Sequence, residues 1–214
     1  MQLPPDKANA YLMELRKLLR KKRIPIARFR KIVGKLCFAA LCLPAGQSFM
    51  MPLNIAMRGE PKHIGNGAKS EVRESIGDWI QLIKELASRP TSVHELVAKT
   101  VDYYGYCYAC NTGAGGVWLP LSSELDPFIW RVQWPPDIVR RLATWDGISI
   151  SDAECAGVLL QQMVLEMQVT DLRHTKSVPF CNNTPAVSWV TRMALKRSRV
   201  GGRLIKGLAV WARQ

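Results

Sequence analysis

Acidic residues are scarce in this sequence: 17 Asp and Glu stand against 30 Lys and Arg, a formal net charge of +13. That imbalance points to a polyanionic partner, nucleic acid first and an anionic membrane surface second. Long apolar runs are also missing. The longest, around Cys37–Leu43, falls far short of the roughly 20 residues a membrane-spanning helix needs. The N-terminal MQLPPDKANA has no apolar core of the secretory type. An Arg-rich amphipathic start is a trait of mitochondrial transit sequences as well, but Asp6, Glu14 and the early prolines argue against one. The expectation is a soluble intracellular protein of the nucleus or cytoplasm with no membrane partner.

Histidine is rare too, and His63, one of three, has no visible partner set and reads as a surface residue. The six cysteines, at 37, 42, 107, 110, 155 and 181, lie in apolar surroundings, which predicts reduced, buried thiols rather than disulfides. Cys107 and Cys110 make a single CxxC with no second pair in a segment that reads as a strand, so neither zinc nor redox chemistry is expected there. No internal repeat or low-complexity segment is present, and 48% hydrophobic residues are enough for a folded core.

What is present first is helical periodicity. From Asp6 to Arg20, Ala8, Tyr11, Leu12, Leu15, Leu18 and Leu19 recur at three- and four-residue steps. Beyond Ile24-Pro25 the same period returns through Phe29, Ile32, Val33, Leu36 and Ala40. Between Arg16 and Lys35 stand ten basic residues and no acidic one: Arg16, Lys17, Arg20, Lys21, Lys22, Arg23, Arg28, Arg30, Lys31 and Lys35. A solvated helix face normally mixes signs, so this strip is the best candidate for contact with phosphates, with plain solubility as the competing explanation. Residues 58–69 are rich in Gly, Pro and charge and read as an exposed loop. A third helix is predicted from Ser70 to the Arg89-Pro90 stop, on Val72, Ile76, Trp79, Ile80, Ile83 and Leu86.

From about residue 100 the pattern becomes that of strands. VDYYGYCYAC, GAGGVWLP and PFIWRVQW predict an antiparallel meander. Ser151-Asp152-Ala153-Glu154 reads as a capping box opening a long apolar helix through Met167. SVPFCNN predicts a short strand, Thr184-Pro185 another helix, and Val200–Gln214 a last one. A second basic cluster, Arg192, Lys196, Arg197, Arg199, Arg203, Lys206 and Arg213, stands around Trp189 and Trp211 and suits a nucleic-acid groove, although the tryptophans themselves read as core residues.

Three local motifs carry a resemblance. YYGYCYACNTGAGGVWLP (103–120) is similar to the first hairpin of the ribonuclease H domain in retrotransposon reverse transcriptases, where Y/F-C-D-A-S precedes G-A-G-G-V-W. SDAECAGVLLQ (151–161) resembles the helix that brings the catalytic glutamate, and VPFCNNTPAVSWV (178–190) resembles F-C-D-N-T-P-A-V-S-W with its second aspartate. Upstream, LPPDKANAYLMELRKLL and RKIVGKLCFAALCLPAGQSFMMPL look like the thumb and connection region of the same polyproteins. The resemblance implies an α+β chain: a helical thumb/connection-like region over 1–98, then a ribonuclease H-like domain over 99–214, a mixed sheet flanked by helices and truncated at its C-terminal end.

Ribonuclease H cleaves RNA by two-metal catalysis, and Mg²⁺ needs several hard, charged oxygen ligands. On the resemblance, Tyr108 stands at the first aspartate position, Glu154 keeps the glutamate, Asn182 replaces the second aspartate, and a fourth acidic position lies beyond Gln214. One carboxylate of the set remains, so the expectation is a lost Mg²⁺ site, no metal, no cofactor and no hybrid cleavage. Asp102 lies six residues before Tyr108, about 20 Å away at 3.3 Å per residue, and cannot substitute. Asp152 is turned to another side of its helix. Glu154, as the last member of its capping box, has a structural role open to it, and Asn182 and Asn183 suit the turn before a helix. No paired-aspartate motif of a polymerase palm is present. Two functional expectations follow. One is a catalytically inactive remnant binding RNA–DNA hybrid or duplex without sequence preference. The other is a protein-interaction scaffold in which the charge serves solubility alone.

Overall fold

A computed structural model describes residues 3–43, 46–89, 91, 100–170, 172, 175–193 and 198–211. The chain is mixed α and β and divides into two compact units, Met1–Val97 and Ala98–Ala212.

Unit 1 is built on amphipathic helices. α1 (Pro5–Leu19) starts on a proline, whose missing N–H costs nothing at a helix start, and buries Ala8, Tyr11, Leu12, Leu15 and Leu18. α2 (Ile26–Ala40) buries Phe29, Ile32, Val33 and Leu36. α3 (Gln47–Ala56), which carries Pro52 inside it, was not legible as a separate helix. α4 (Glu71–Ser88) is capped by Ser70, whose hydroxyl accepts from Val72 N at 3.2 Å, and it packs on α1 and α3. Trp79 is fully buried and satisfies its indole N–H on Phe49 O at 3.2 Å.

The expected loop over 58–69 is corrected: His63–Gly65 forms β2, paired antiparallel with β1 (Arg23–Pro25) in the register Ile24↔Ile64. Both isoleucines are buried, while His63 is exposed as expected. Three-residue strands are too short for periodicity to register; burial of this one apolar pair and main-chain pairing hold the ribbon. Asn66, directly after β2, is buried and finishes α1. Its Nδ2 donates to Leu18 O (2.9 Å) and Lys21 O (2.8 Å), its backbone N–H to Lys22 O (2.9 Å), and Arg73 donates to Leu19 O. Leu18 O also accepts from Lys21 N at 3.0 Å, so these bonds serve above all the carbonyls of Leu19, Lys21 and Lys22, which a helix end otherwise leaves orphaned. Asn66 Oδ1 itself is buried without a hydrogen-bond partner among the described residues.

Unit 2 is a four-stranded sheet with its helices gathered on one face. β3 (Tyr103–Ala109), β4 (Gly113–Pro120) and β5 (Phe128–Gln133) form an antiparallel meander, and β6 (Ser177–Cys181) lies parallel to β3, giving the order β5-β4-β3-β6. α6 (Ile150–Gln168) packs against β3, β4 and β6; α7 (Thr184–Arg192) and α8 (Arg199–Trp211) pack on α6. α5 (Pro136–Thr144) joins the same layer through Leu142 and Ile138, which cluster with Ala109, Ala114 and Ala153.

Side-chain volume explains how closely α6 approaches the sheet. A Cβ built on Gly157 would meet Ala109 Cβ at 3.8 Å and Ala114 Cβ at 3.9 Å, so small residues line both sides. On Gly105 or Gly116 a Cβ would run into the buried Gln161 side chain. Gln161 donates to Val117 O at 2.9 Å, accepts from Trp130 Nε1, and its backbone carbonyl accepts from Trp118 Nε1 at 2.7 Å. Alternation along β3 then decides which face each side chain takes. Gly105, Cys107 and Ala109 are buried toward α6, whereas Tyr106 and Tyr108 are exposed on the opposite face.

Candidate functional site

Tyr108, Glu154 and Asn182, which the resemblance groups, lie at one end of the sheet, near the C-terminal ends of the parallel pair β3 and β6 and the first turns of α6. Their side chains are not brought together. Glu154 is buried beneath the sheet, and its Oε2 accepts from Ala109 N at 3.0 Å and from the Cys181 thiol at 3.5 Å. Tyr108 is 57% exposed on the other face. Asn182 is exposed in the turn between β6 and α7, and Asn183 caps α7 by accepting from Ala186 N at 2.9 Å.

The capping box is corrected as well. It is formed by Ser149 and Asp152: Asp152 Oδ2 accepts from Ser149 N (2.8 Å) and Oγ (2.7 Å), and Asp152 N donates to Ser149 Oγ (3.3 Å). Ser149-x-x-Asp152 and Ser151-x-x-Glu154 both have the spacing of a box. The helix starts at Ile150, so the earlier pair occupies the cap and Glu154 falls one turn inside, facing the sheet. Asp152 Oδ1 is taken by Ser198 Oγ, and Asp102 at the start of β3 holds Lys176 N at 2.7 Å. Asp102, Asp152 and Glu154 thus each hold backbone or hydroxyl donors.

The thiols facing Glu154 escaped sequence reasoning. Cys107 and Cys181 are register partners on β3 and β6, and both are free thiols. The Cys107 thiol donates to Phe180 O at 3.6 Å, and its interaction with Cys181, together with burial, pushes it far above its usual range. The same interaction pulls Cys181 below the usual thiol value. Burial pushes the Glu154 carboxyl up, against the hydrogen bonds from Cys181 and Ala109 N–H. Burial also pushes Cys155 up to about 12. The one available signal was parity, which puts Cys107 and Tyr108 on opposite faces of a strand. Cysteines 42, 107 and 155 are buried as expected, but Cys37 is exposed on α2 and Cys110 and Cys181 are half-buried.

This donor set does not fit a pair of Mg²⁺ ions. Mg²⁺ requires charged oxygens arranged octahedrally, and here one carboxylate, occupied by an amide and a thiol, faces two sulfurs. Among the described residues, no group of three or more His, Cys, Asp or Glu side chains is arranged to hold a metal ion.

The basic strip lies in unit 1. Arg16, Lys17, Arg20, Lys21, Lys22, Arg23, Arg30 and Lys31 are exposed, and Arg28 and Lys35 are half-buried. Two of the ten have acidic partners from outside the strip: Arg30 with Glu60 at 2.7 Å and Lys35 with Glu14 at 2.5 Å. The remaining positive charge centres on Arg20–Arg23, at the C-terminus of α1, where the helix dipole favours cations. Of the C-terminal cluster, Arg192, Arg199 and Arg203 are exposed and Trp189 is half-buried. Lys196, Arg197, Arg213 and the Trp211 side chain lie outside the described residues. No helix among the described residues is long and apolar enough to cross a membrane. Comparison with protein-family models, with curated proteins and with solved structures gives no match.

Proposed function

We propose that this chain binds nucleic acid, RNA–DNA hybrid or duplex without sequence preference, through the basic surface of unit 1, and that unit 2 is a ribonuclease H-like domain without catalysis. The observation that carries the binding half is the run Arg20, Lys21, Lys22, Arg23: four exposed cations in succession at the end of α1, with no acidic partner among the described residues. Their positive charge is compensated only by solvent counterions, which a phosphate backbone would displace. The ribonuclease H-like reading of unit 2 is supported by a meander whose first strand takes a parallel fourth strand at its side after a long crossover helix. Loss of catalysis is supported by the occupied state of Glu154 and the outward position of Tyr108.

The test is the salt dependence of duplex binding. With about four phosphates neutralised, log K against log salt should fall with a slope of roughly −3 to −4, about −0.9 per phosphate. Changing Arg20, Lys21, Lys22 and Arg23 to Gln should flatten the slope by about one for each phosphate no longer neutralised and leave sequence preference unchanged. Asn66 grips the carbonyls of Lys21 and Lys22, not their side chains, so the fold should survive. An unchanged slope in a variant with native circular dichroism would favour the protein-scaffold reading.

A further inference from the structure

The face of the unit 2 sheet turned away from its helices is open. Phe180, Tyr106 and Ile129 lie in one cross-strand row and are 44%, 50% and 83% exposed. Phe180 stacks between Tyr106 (centroids 5.1 Å apart, planes at 18°) and Tyr104 (6.2 Å, 25°), giving a column of three rings. The next row is Tyr108, Gly115 and Arg131, where the absent glycine side chain leaves bare backbone between an exposed ring and an exposed guanidinium. None of the four strands contains an acidic residue.

We infer that this face is a docking platform for single-stranded nucleic acid. Exposed aromatic rings accept any base by stacking, and a strand without carboxylates, with a cation beside the rings, does not repel the phosphates between the bases. A duplex cannot use the rings, because its bases are already stacked on one another. The inference rests on the nucleic-acid reading above and adds to it a second surface, specific for unpaired strands.

The experiment is fluorescence anisotropy of the full chain with a labelled oligothymidylate of about 20 residues, long enough to cover such a platform, and with a duplex of the same length. Tyr106→Ala should weaken the single-strand complex about tenfold, the loss of one stacked base, and leave the duplex complex unchanged; Phe180→Ala, which removes the ring that backs Tyr106, should weaken it less. Tyr106→Phe should bind as the wild type does. Ile129 is so exposed that Ile129→Glu should keep the fold, and its new charge should weaken single-strand binding several-fold. Single-strand affinity untouched by both Tyr106→Ala and Ile129→Glu would overturn the platform, as would equal losses for duplex. A wild-type dimer in sedimentation that Ile129→Glu dissociates would assign the face to a second copy of the chain instead. The Arg20–Arg23 glutamine variant keeps the two readings apart: failure there, with the Tyr106 effect intact, removes the strip and leaves the sheet face.

Discussion

Residues 1–97 carry 17 Lys and Arg against 8 Asp and Glu, whereas residues 98–214 carry 13 against 9. The charge that dominates the composition is therefore largely a property of the helical unit. The sheet unit differs in another way, since its order depends on side chains that are absent: Gly105, Gly116 and Gly157 let α6 lie close enough for Gln161 and Glu154 to bond the strands. In the helical unit the comparable task falls to one polar side chain, Asn66, which ties the end of α1 to the ribbon. The sheet unit has no room for added volume beside Gln161, whereas the end of α1 in the helical unit depends on the hydrogen bonds of one buried side chain, so they should fail differently.

The largest effect is expected from Gly116→Ala. Its methyl would collide with Gln161 Oε1 and with the main chain at Tyr106 O, which cannot swing aside. Overpacking of this kind costs about 3 kcal/mol, and native-state hydrogen exchange resolved for each unit should show the sheet unit alone weakened. Asn66→Ala should cost about 1 kcal/mol by removing two side-chain hydrogen bonds, the one to Leu18 O buried and the one to Lys21 O part-buried, this time in the unit containing Trp79. A loss shared equally by both units in either variant would show that they do not unfold separately, and the comparison would break.

Glu154 sharpens it further. Its folded-state pKa is raised, so its contribution to stability is complete below the unfolded value of 4.5 and is lost as pH rises through the folded value. Glu154→Gln keeps an acceptor for Ala109 N–H and removes the titration. The stability difference between variant and wild type should therefore grow in the variant's favour across that window and be flat below it. A parallel pair of pH profiles would contradict the burial of this carboxyl. The smallest effect is Gly157→Ala, which meets only ordinary contacts at 3.8 Å and should stabilise the sheet unit by up to about 1 kcal/mol through helix propensity.

Where periodicity runs long, the architecture could be read directly: the meander from its alternation and glycine turn, and α1, α2, α4 and α6 from their apolar stripes. Ile24 and Ile64 could not announce β1 and β2, because each strand is a single buried residue between exposed neighbours and its partner lies 40 positions away. At the start of α6 the capping box was misassigned. Two serines offered the same box spacing, and only the helix start decides between them. Tyr108 was counted as a member of a cluster that its strand parity directs it away from, while Cys107 and Cys181, one position earlier in each motif, face Glu154 instead.

The way Asn66 and Arg73 finish α1 also bears on how the protein is made. The carbonyl of Lys21 waits for a side chain 45 residues downstream, and that of Leu19 for one 54 residues downstream. At translation rates of 5–20 residues per second, that interval is about 3 to 10 s. During it the nascent helix carries an unfinished end flanked by Arg20–Arg23 as it leaves the ribosome, a particle whose surface is itself largely phosphate.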